Sequence, residues 1–507
     1  MYAALASGYT VVMIQTATVS TPIIPQQLVL RPPLPRVVGT VEYELFCAYW
    51  HRVDALLSAG VESDFVARSV RHHEVTRQRP MTHSEQAAFQ QESRKALRCT
   101  VARQLLGESF RAFSRHLGES SVLQQFCLLG DLEAVVIPGH SQLQRYDGWL
   151  PEVDLSAVVR GQVTQAAAPE ASTTLGLKSP VSLETVWVDS TCAETNIHYP
   201  VDWVLLRDAV RTLIQAIQVL RAHELKHRMP DPASFPAAMN KLCMRMTHAG
   251  KGEKGKRRRK AIVREMLALV QTVRDHAERY SALVDAMETR AGWADAARRR
   301  MRAVFDQLPT VLHQVRERML GERLVPTAEK VLSLYEPDTA VLTRGKAGAQ
   351  VEFGHSLFIA EQREGLIVDW ALPQRPQDDQ TLLAASVTRC LESYGRDTIR
   401  VSVGDRGFAG PCARMALDSA GIRDGACPRS PRQLAVRLED DPDFRPQQRR
   451  RSQTEGRIAI VKQTFLGGYL HTKGHAHHAL EIAWVVLTHN LWVLARLPVA
   501  DERLLAA

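Results

Sequence analysis

The stretch RSQTEGRIAIVK, residues 451–462, decides how we interpret the fold of this chain. With 3.6 residues per turn, it predicts a helix on which Arg451, Glu455 and Lys462 lie within about 40° of one another. Three apolar side chains share the adjoining stripe and are expected to be buried: Ile458, Val461 and Phe465. A carboxylate between two cations, beside an apolar anchor, suits a group that meets a metal ion and a phosphate together. An ordinary amphipathic helix with i,i+4 charge pairs is the alternative interpretation.

Two aspartates follow runs of β-branched and aromatic residues. The runs TVWVD, residues 185–189, and TIRVSVGD, residues 398–405, each predict a strand with an aspartate at its exit. Reactive groups gather at the carboxyl ends of strands in open α/β sheets. Asp189, Asp405 and Glu455 therefore form a candidate set of oxygen ligands.

These three carboxylates, with Glu455 inside an Arg-x3-Glu-x6-Lys pattern, resemble the DDE transposases of bacterial insertion sequences. The signature of that family is Tyr-x2-Arg-x3-Glu-x6-Lys, and this chain departs from it at Gln448, where the family has Tyr. The runs at 189–202, 345–354 and 404–408 are similar to those of the ISNCY-type branch. The resemblance covers roughly residues 183–497 and implies an RNase H-like fold with DNA strand cleavage and strand transfer.

Composition favours an anionic partner inside the cell. The chain has 507 residues, 64 Lys and Arg against 55 Asp and Glu, and a pI of about 9.2. Its eight cysteines form no Cys-x-x-Cys pair, which indicates reduced thiols. No run approaches the ~18 apolar residues of a membrane span. We expect a soluble cytoplasmic protein, associated with the bacterial nucleoid and with no membrane partner.

Segment composition predicts the domain order. A proline-rich loose arm is expected at 1–40, a helical domain that is a candidate for DNA binding at 41–150, and a linker of small and polar residues at 151–182. The catalytic domain is expected at 183–500, with a helical insertion at about 203–330.

Within 41–150, two short helical runs flank Ile137-Pro-Gly139. They are typical either of a helix-turn-helix that recognises DNA ends or of a plain helical subdomain, and the sequence favours neither.

The insertion carries the densest basic run, KGEKGKRRRK, residues 251–260. Clustered lysines and arginines bind phosphates without sequence preference, because each contact releases counterions. The glycines predict a pliable loop that follows a DNA backbone, and a solvated loop is the alternative. The candidate DNA-binding residues are Arg451, Lys462, Lys254, Lys256, Arg257, Arg258, Arg259 and Lys260.

These patterns predict an α/β fold with a large helical insertion and an α-helical N-terminal DNA-binding domain, and the resemblance implies that its catalytic core is RNase H-like, a mixed sheet flanked by helices. Hydrolysis of a phosphodiester suits two Mg²⁺ or Mn²⁺ ions roughly 4 Å apart. Asp189 would bridge both ions, with Asp405 on one and Glu455 on the other.

The expected function is that of a transposase of an insertion sequence. It would act on terminal-repeat DNA and target DNA as a homodimer on paired ends, because one site holds one reacting phosphate at a time. Two alternatives remain: a domesticated transposase that binds DNA without catalysis and acts as a regulator, and an RNase H-like nuclease that cuts without joining.

Overall fold

A computed structural model describes residues 39–130, 134–287, 291–343 and 351–500. Two segments named above lie outside the described residues. They are the predicted arm at 1–40, apart from its last two residues, and positions 345–350 of the family-like run. The chain forms two compact units. Unit 1 comprises Met1–Ala193 and Ser356–Ala507, and unit 2 comprises Glu194–His355. The class is mixed α/β, rich in helix and with a small mixed sheet.

Unit 1 begins with helices. They are α1 (Val41–Leu56), α2 (Glu62–Arg77), α3 (His83–Leu106), α4 (Phe110–Glu119), α5 (Ser121–Phe126), α6 (His140–Asp147), α7 (Glu152–Ala167) and α8 (Ala171–Thr174). The start of α3 is fixed by a capping box between Thr82 and Glu85. The Thr82 hydroxyl accepts from the Glu85 N–H at 3.3 Å, and the Glu85 carboxylate accepts from the Thr82 N–H at 2.9 Å.

The predicted linker at 151–182 is wrong, because this segment holds α7 and α8. Leu155, Val159 and Val163 of α7 are fully buried in the core of unit 1. Small residues also suit a packed helix, since alanine is the strongest helix former and lets neighbouring helices approach closely. The composition of 151–182 is therefore compatible with a packed helix as well as with a linker, and it does not distinguish the two.

The strands are β1 (Thr185–Glu194), β2 (Ala340–Thr343), β3 (Val351–Gln362), β4 (Ile367–Ala371), β5 (Val401–Val403) and β6 (Arg423–Asp424). In unit 1 the strand order is β4-β3-β1-β5-β6. β1 pairs in parallel with β5, from Thr185↔Val401 to Trp187↔Val403, and β5 pairs in parallel with β6. β3 and β4 pair antiparallel and form a hairpin.

One strand end differs from the prediction. β1 does not end at Asp189 but continues to Glu194. Asp189 and Ser190 are both half-buried and interrupt the buried run, which resumes at Thr191. Asp189 therefore lies in the middle of a strand, while Asp405 lies two residues beyond β5.

Five helices follow in unit 1: α13 (Asp379–Tyr394), α14 (Pro411–Ala420), α15 (Pro431–Asp440), α16 (Phe444–Ile460) and α17 (His475–Leu494). α17 is apolar on all sides and packs against both α3 and α7. Its Trp484 indole donates to the Asp147 carbonyl at 2.8 Å, and its Thr488 hydroxyl donates to Gln104 at 2.8 Å. The N-terminal helices and the sheet thus share one unit, instead of the separate domains expected at 41–150 and 183–500.

Unit 2 is mainly helical. Its helices are α9 (Asp202–Ala222), α10 (Ser234–Thr247), α11 (Gly252–Asp285) and α12 (Gly292–Val315), and β2 pairs antiparallel with the first residues of β3. It has its own core, in which Leu213, Val270 and Leu308 are fully buried. The helical insertion expected at about 203–330 falls within this unit.

Candidate active site

A buried carboxylate on β3 holds α16 against the sheet. Glu361 is 0% exposed and accepts hydrogen bonds from Arg450 at 2.9 Å, from the Thr454 hydroxyl at 2.8 Å and from Arg457 at 3.2 Å. A buried charge is tolerated only when it is paired and hydrogen-bonded. These three donors stand on one face of α16, so Glu361 fixes the rotation of the helix about its own axis.

Two further contacts join α16 to the strand ends. The Trp187 indole of β1 donates to the Gln447 carbonyl at 3.0 Å, and its ring lies 4.7 Å from the Arg450 guanidinium. The Gln448 side chain donates to the carbonyls of Gly404, at 3.1 Å, and Gly425, at 2.8 Å. Gln448, which stands where the family signature has Tyr, therefore holds the backbone beside Asp405 and at the end of β6.

The structure brings the three predicted carboxylates together. Asp189 and Asp405 each lie two residues beyond the paired residues Trp187 and Val403, so parallel pairing places them side by side. Glu455 projects from α16. Arg451 links it to β1, with Nη2 at 3.2 Å from Glu455 Oε1 and Nη1 at 3.8 Å from Asp189 Oδ2.

The electrostatics of Asp189 reflect this crowding. Burial raises the pKa of Asp189 above its usual range, and the negative charges of Asp405 and Glu455 raise the pKa further. The Ser190 N–H, at 2.8 Å, and Arg451 oppose this shift. Since like charges gather at Asp189, the cluster favours a cation among its oxygens.

The turn that carries Asp405 is tightly built. Asp405 Oδ1 accepts from the Gly407 N–H at 2.7 Å, and Arg429 donates to the carbonyls of Arg406 and Gly407. A methyl group at position 407 would overlap the carboxylate of Asp379 and lie 2.9 Å from Asp405. A larger residue at position 407 would require the carboxylates of Asp379 and Asp405 to move away from the turn.

Asp379 and Glu361 are site residues that the sequence analysis did not identify, and Gln448 was noted there only as a departure from the family signature. Asp379 opens α13, where an acidic residue is typical of helix stabilisation, so its position gave no separate signal. Glu361 did offer one: it is an acidic residue at the end of a strongly apolar strand, and such a residue needs a charged partner when buried.

The donor set fits Mg²⁺ or Mn²⁺ in its chemistry, because all three groups offer hard carboxylate oxygens. Within the described ranges, no three His, Cys, Asp or Glu side chains already form a group that could hold a metal ion. Arg451 lies between Asp189 and Glu455. A metal ion bound to both carboxylates would therefore compete with this guanidinium.

Regular α-helical geometry ends at Ile460, and a π-helical turn spans Val461–Phe465. Lys462 is the second residue of this turn, and its place beside Arg451 and Glu455 stays a prediction. The apolar stripe is confirmed, since Ile458 and Val461 are buried and Phe465 packs against the same core.

The basic run in unit 2 is helical, and the prediction of a pliable loop is wrong. Residues 252–260 form the first turns of α11, because Lys and Arg favour helix and an apolar periodic segment continues from Ile262. Lys256 and Lys260 both pair with Glu322, at 2.5 Å, and Arg259 donates to the Gly250 carbonyl at 2.6 Å. The exposed cations of this run are Lys251, Lys254, Arg257 and Arg258.

Comparison of the chain with protein-family models, with curated proteins and with solved structures finds no match. In the part of the chain that the structure describes, no helix combines the length and the apolar character needed to cross a membrane.

Proposed function

We propose that this protein is a DDE-type transposase that cleaves and joins DNA strands in a metal-dependent reaction. The observation that carries the proposal is the convergence of Asp189, Asp405 and Glu455, from β1, from the turn after β5 and from α16, with Arg451 between two of them. The strand order of unit 1, with two parallel pairs beside an antiparallel hairpin, supports an RNase H-like core. The resemblance of the 451–462 pattern supports the same assignment.

The three carboxylates would hold the Mg²⁺ or Mn²⁺ ions. When bound, such ions polarise the phosphodiester and activate the attacking oxygen. Arg451 would bind a phosphate oxygen, for which the guanidinium fork is well suited. The Glu361 network keeps α16 in one orientation, so that Glu455 stays on the side of Asp189. Gln448 and Arg429 hold the turn that presents Asp405.

DNA is the proposed partner, both as terminal repeats and as target. Arg257, Arg258 and Lys254 of α11 provide exposed positive charge for its phosphates. Joining two element ends needs two reacting phosphates, and each site accommodates one at a time, so we propose a homodimer on paired ends. Light scattering of the protein with DNA from the flanks of its gene tests this, and an active complex with a single chain would contradict it.

The catalytic proposal is tested with Asp189→Asn, Asp405→Asn and Glu455→Gln. Each change removes the charge of a ligand and keeps its shape, so each variant should bind duplex DNA like the wild type when divalent ions are absent, but lose cleavage in Mg²⁺ and in Mn²⁺. The substrate is a supercoiled plasmid that carries the flanking sequences. The matched control is Glu439→Gln, an exposed position on α15.

Cleavage at the wild-type rate by any of the three variants would refute the assignment. Cleavage without joined products would instead identify a nuclease, and DNA binding without cleavage by the wild type would identify a regulator.

A further inference from the structure

We propose that Arg451 is an internal competitor of the metal ion, and that a DNA phosphate relieves this competition, so that DNA and metal strengthen each other's binding. This inference rests on the proposed function, since it concerns the same three carboxylates. It adds that the binding of DNA and the binding of the metal ion depend on each other.

The first observation is the contrast between two neighbouring arginines of α16. Arg450 is fixed: it donates at 2.9 Å to Glu361, which is fully buried, and its guanidinium lies against Trp187. Arg451 bridges Asp189 and Glu455 at 3.8 and 3.2 Å, which is longer than the 2.7–2.9 Å typical of charge-assisted hydrogen bonds. Arg451 is therefore held loosely, beside Glu455, which is exposed.

The second observation is the charge balance. Three carboxylates carry a charge of −3 when ionised, and Arg451 is the cation that contacts two of them. A guanidinium stays charged at any physiological pH, so Arg451 does not stop competing with the metal ion by losing a proton. A divalent cation that binds Asp189 and Glu455 must displace it, and the free energy of that displacement weakens metal binding.

A DNA phosphate changes this balance, because guanidinium binds phosphate through two parallel hydrogen bonds. When Arg451 turns to a phosphate, Asp189 and Glu455 lose their cation and the affinity for a metal ion rises. Linkage requires the reverse as well: the metal tightens DNA binding by the same factor. Such couplings are typically about 5-fold to 150-fold. The site would thus load metal mainly when DNA is in place.

The experiment measures Mn²⁺ binding to the full-length protein by electron paramagnetic resonance, with and without a short duplex of mixed sequence. Wild-type protein should bind Mn²⁺ at least about 5-fold more tightly with the duplex. Arg451→Gln should bind Mn²⁺ more tightly than wild type without the duplex, and the duplex should add little. Arg451→Lys keeps the charge and should restore the weak binding seen without DNA. The matched control is Arg449→Gln, which removes an exposed cation from the same helix and should behave like wild type.

The outcomes separate the two proposals. If Arg451→Gln folds, judged by its circular dichroism melt, but binds Mn²⁺ no more tightly than wild type, the competition is refuted. A duplex effect that persists in Arg451→Gln refutes it also. Wild-type protein that cleaves DNA and binds Mn²⁺ equally with and without the duplex overturns this inference alone. Wild-type protein that binds no Mn²⁺ in either condition overturns the proposed function together with it.

Discussion

Replacing Glu361 by glutamine tests how α16 is held in place. The change keeps the size of the side chain and removes its charge, so Arg450 and Arg457 lose their counter-charge. Both guanidinium groups are largely buried, with 13% and 16% of their side chains exposed. Removing one partner of a buried ion pair costs about 3–5 kcal/mol. Glutamine still offers a carbonyl oxygen to Arg450 and Thr454, so we expect a loss near the lower end, about 3 kcal/mol of the unfolding free energy of unit 1.

Urea denaturation followed by tryptophan fluorescence measures this loss. Trp187 lies against Arg450, and Trp492 lies 6.0 Å from Arg457, so both report on the region that the change disturbs. The transition of unit 2 should stay unchanged. Glu439→Gln, on the exposed face of α15, should shift stability by no more than about 0.5 kcal/mol. If Glu361→Gln costs less than about 1 kcal/mol, the network does not hold α16 as we infer.

Three further predictions follow from the same contacts. Asp189→Asn should stabilise unit 1 at pH 7, because the raised pKa of Asp189 means that its ionised form opposes folding. This gain in unfolding free energy should fade as the pH drops through the folded-state pKa towards the ordinary value of 3.8. Thermal melts of wild type and variant at several pH values check this. Replacing Lys254, Arg257 and Arg258 by Ala should weaken binding to all DNA sequences and lower the salt slope of affinity by about 0.9 for each lost phosphate contact, as measured by fluorescence anisotropy; an unchanged slope would mean that these cations only face solvent. Gln448→Ala should lower the unfolding free energy by about 1–3 kcal/mol, because the carbonyls of Gly404 and Gly425 lose their donor. It should also reduce cleavage more than DNA affinity. Cleavage at the wild-type rate would mean that Gln448 does not position the Asp405 turn.

The sequence predicts those parts of the fold whose signals are local. The boundaries of α13 and α14 carry such signals, since Asp379 and Pro411 are typical helix starts and glycines follow both helices. The proximity of Asp189 and Asp405 also follows from sequence, because two apolar runs that end on aspartates predict neighbouring parallel strands.

The parts that were missed depend on which neighbour a residue meets. Arg450 and Arg457 have the helical spacing of a solvated charged edge, and only the position of Glu361 on another element shows that they are buried. In the same way, the alanines of α7 are compatible with an open linker until α17 packs against them. Local patterns do not contain this information, because it arises from residues far apart in the chain, by 89 positions for Glu361 and Arg450.

The insertion of unit 2 between β1 and β3 has a consequence for protein synthesis. Unit 2 closes on itself, since the Thr195 N–H donates to the Phe353 carbonyl at 3.1 Å. Thr185 of β1, in contrast, pairs with Val401, roughly 200 residues later. At about 5–20 residues per second, a ribosome needs roughly 10–40 s to cover that distance. During that interval unit 2 is completed and can fold, while the edge of β1 that pairs with β5 stays open and the N-terminal helices lack α17. The strand with the first carboxylate is thus among the first parts of the sheet to be made, but its pairing with β5 has to follow the synthesis of all of unit 2.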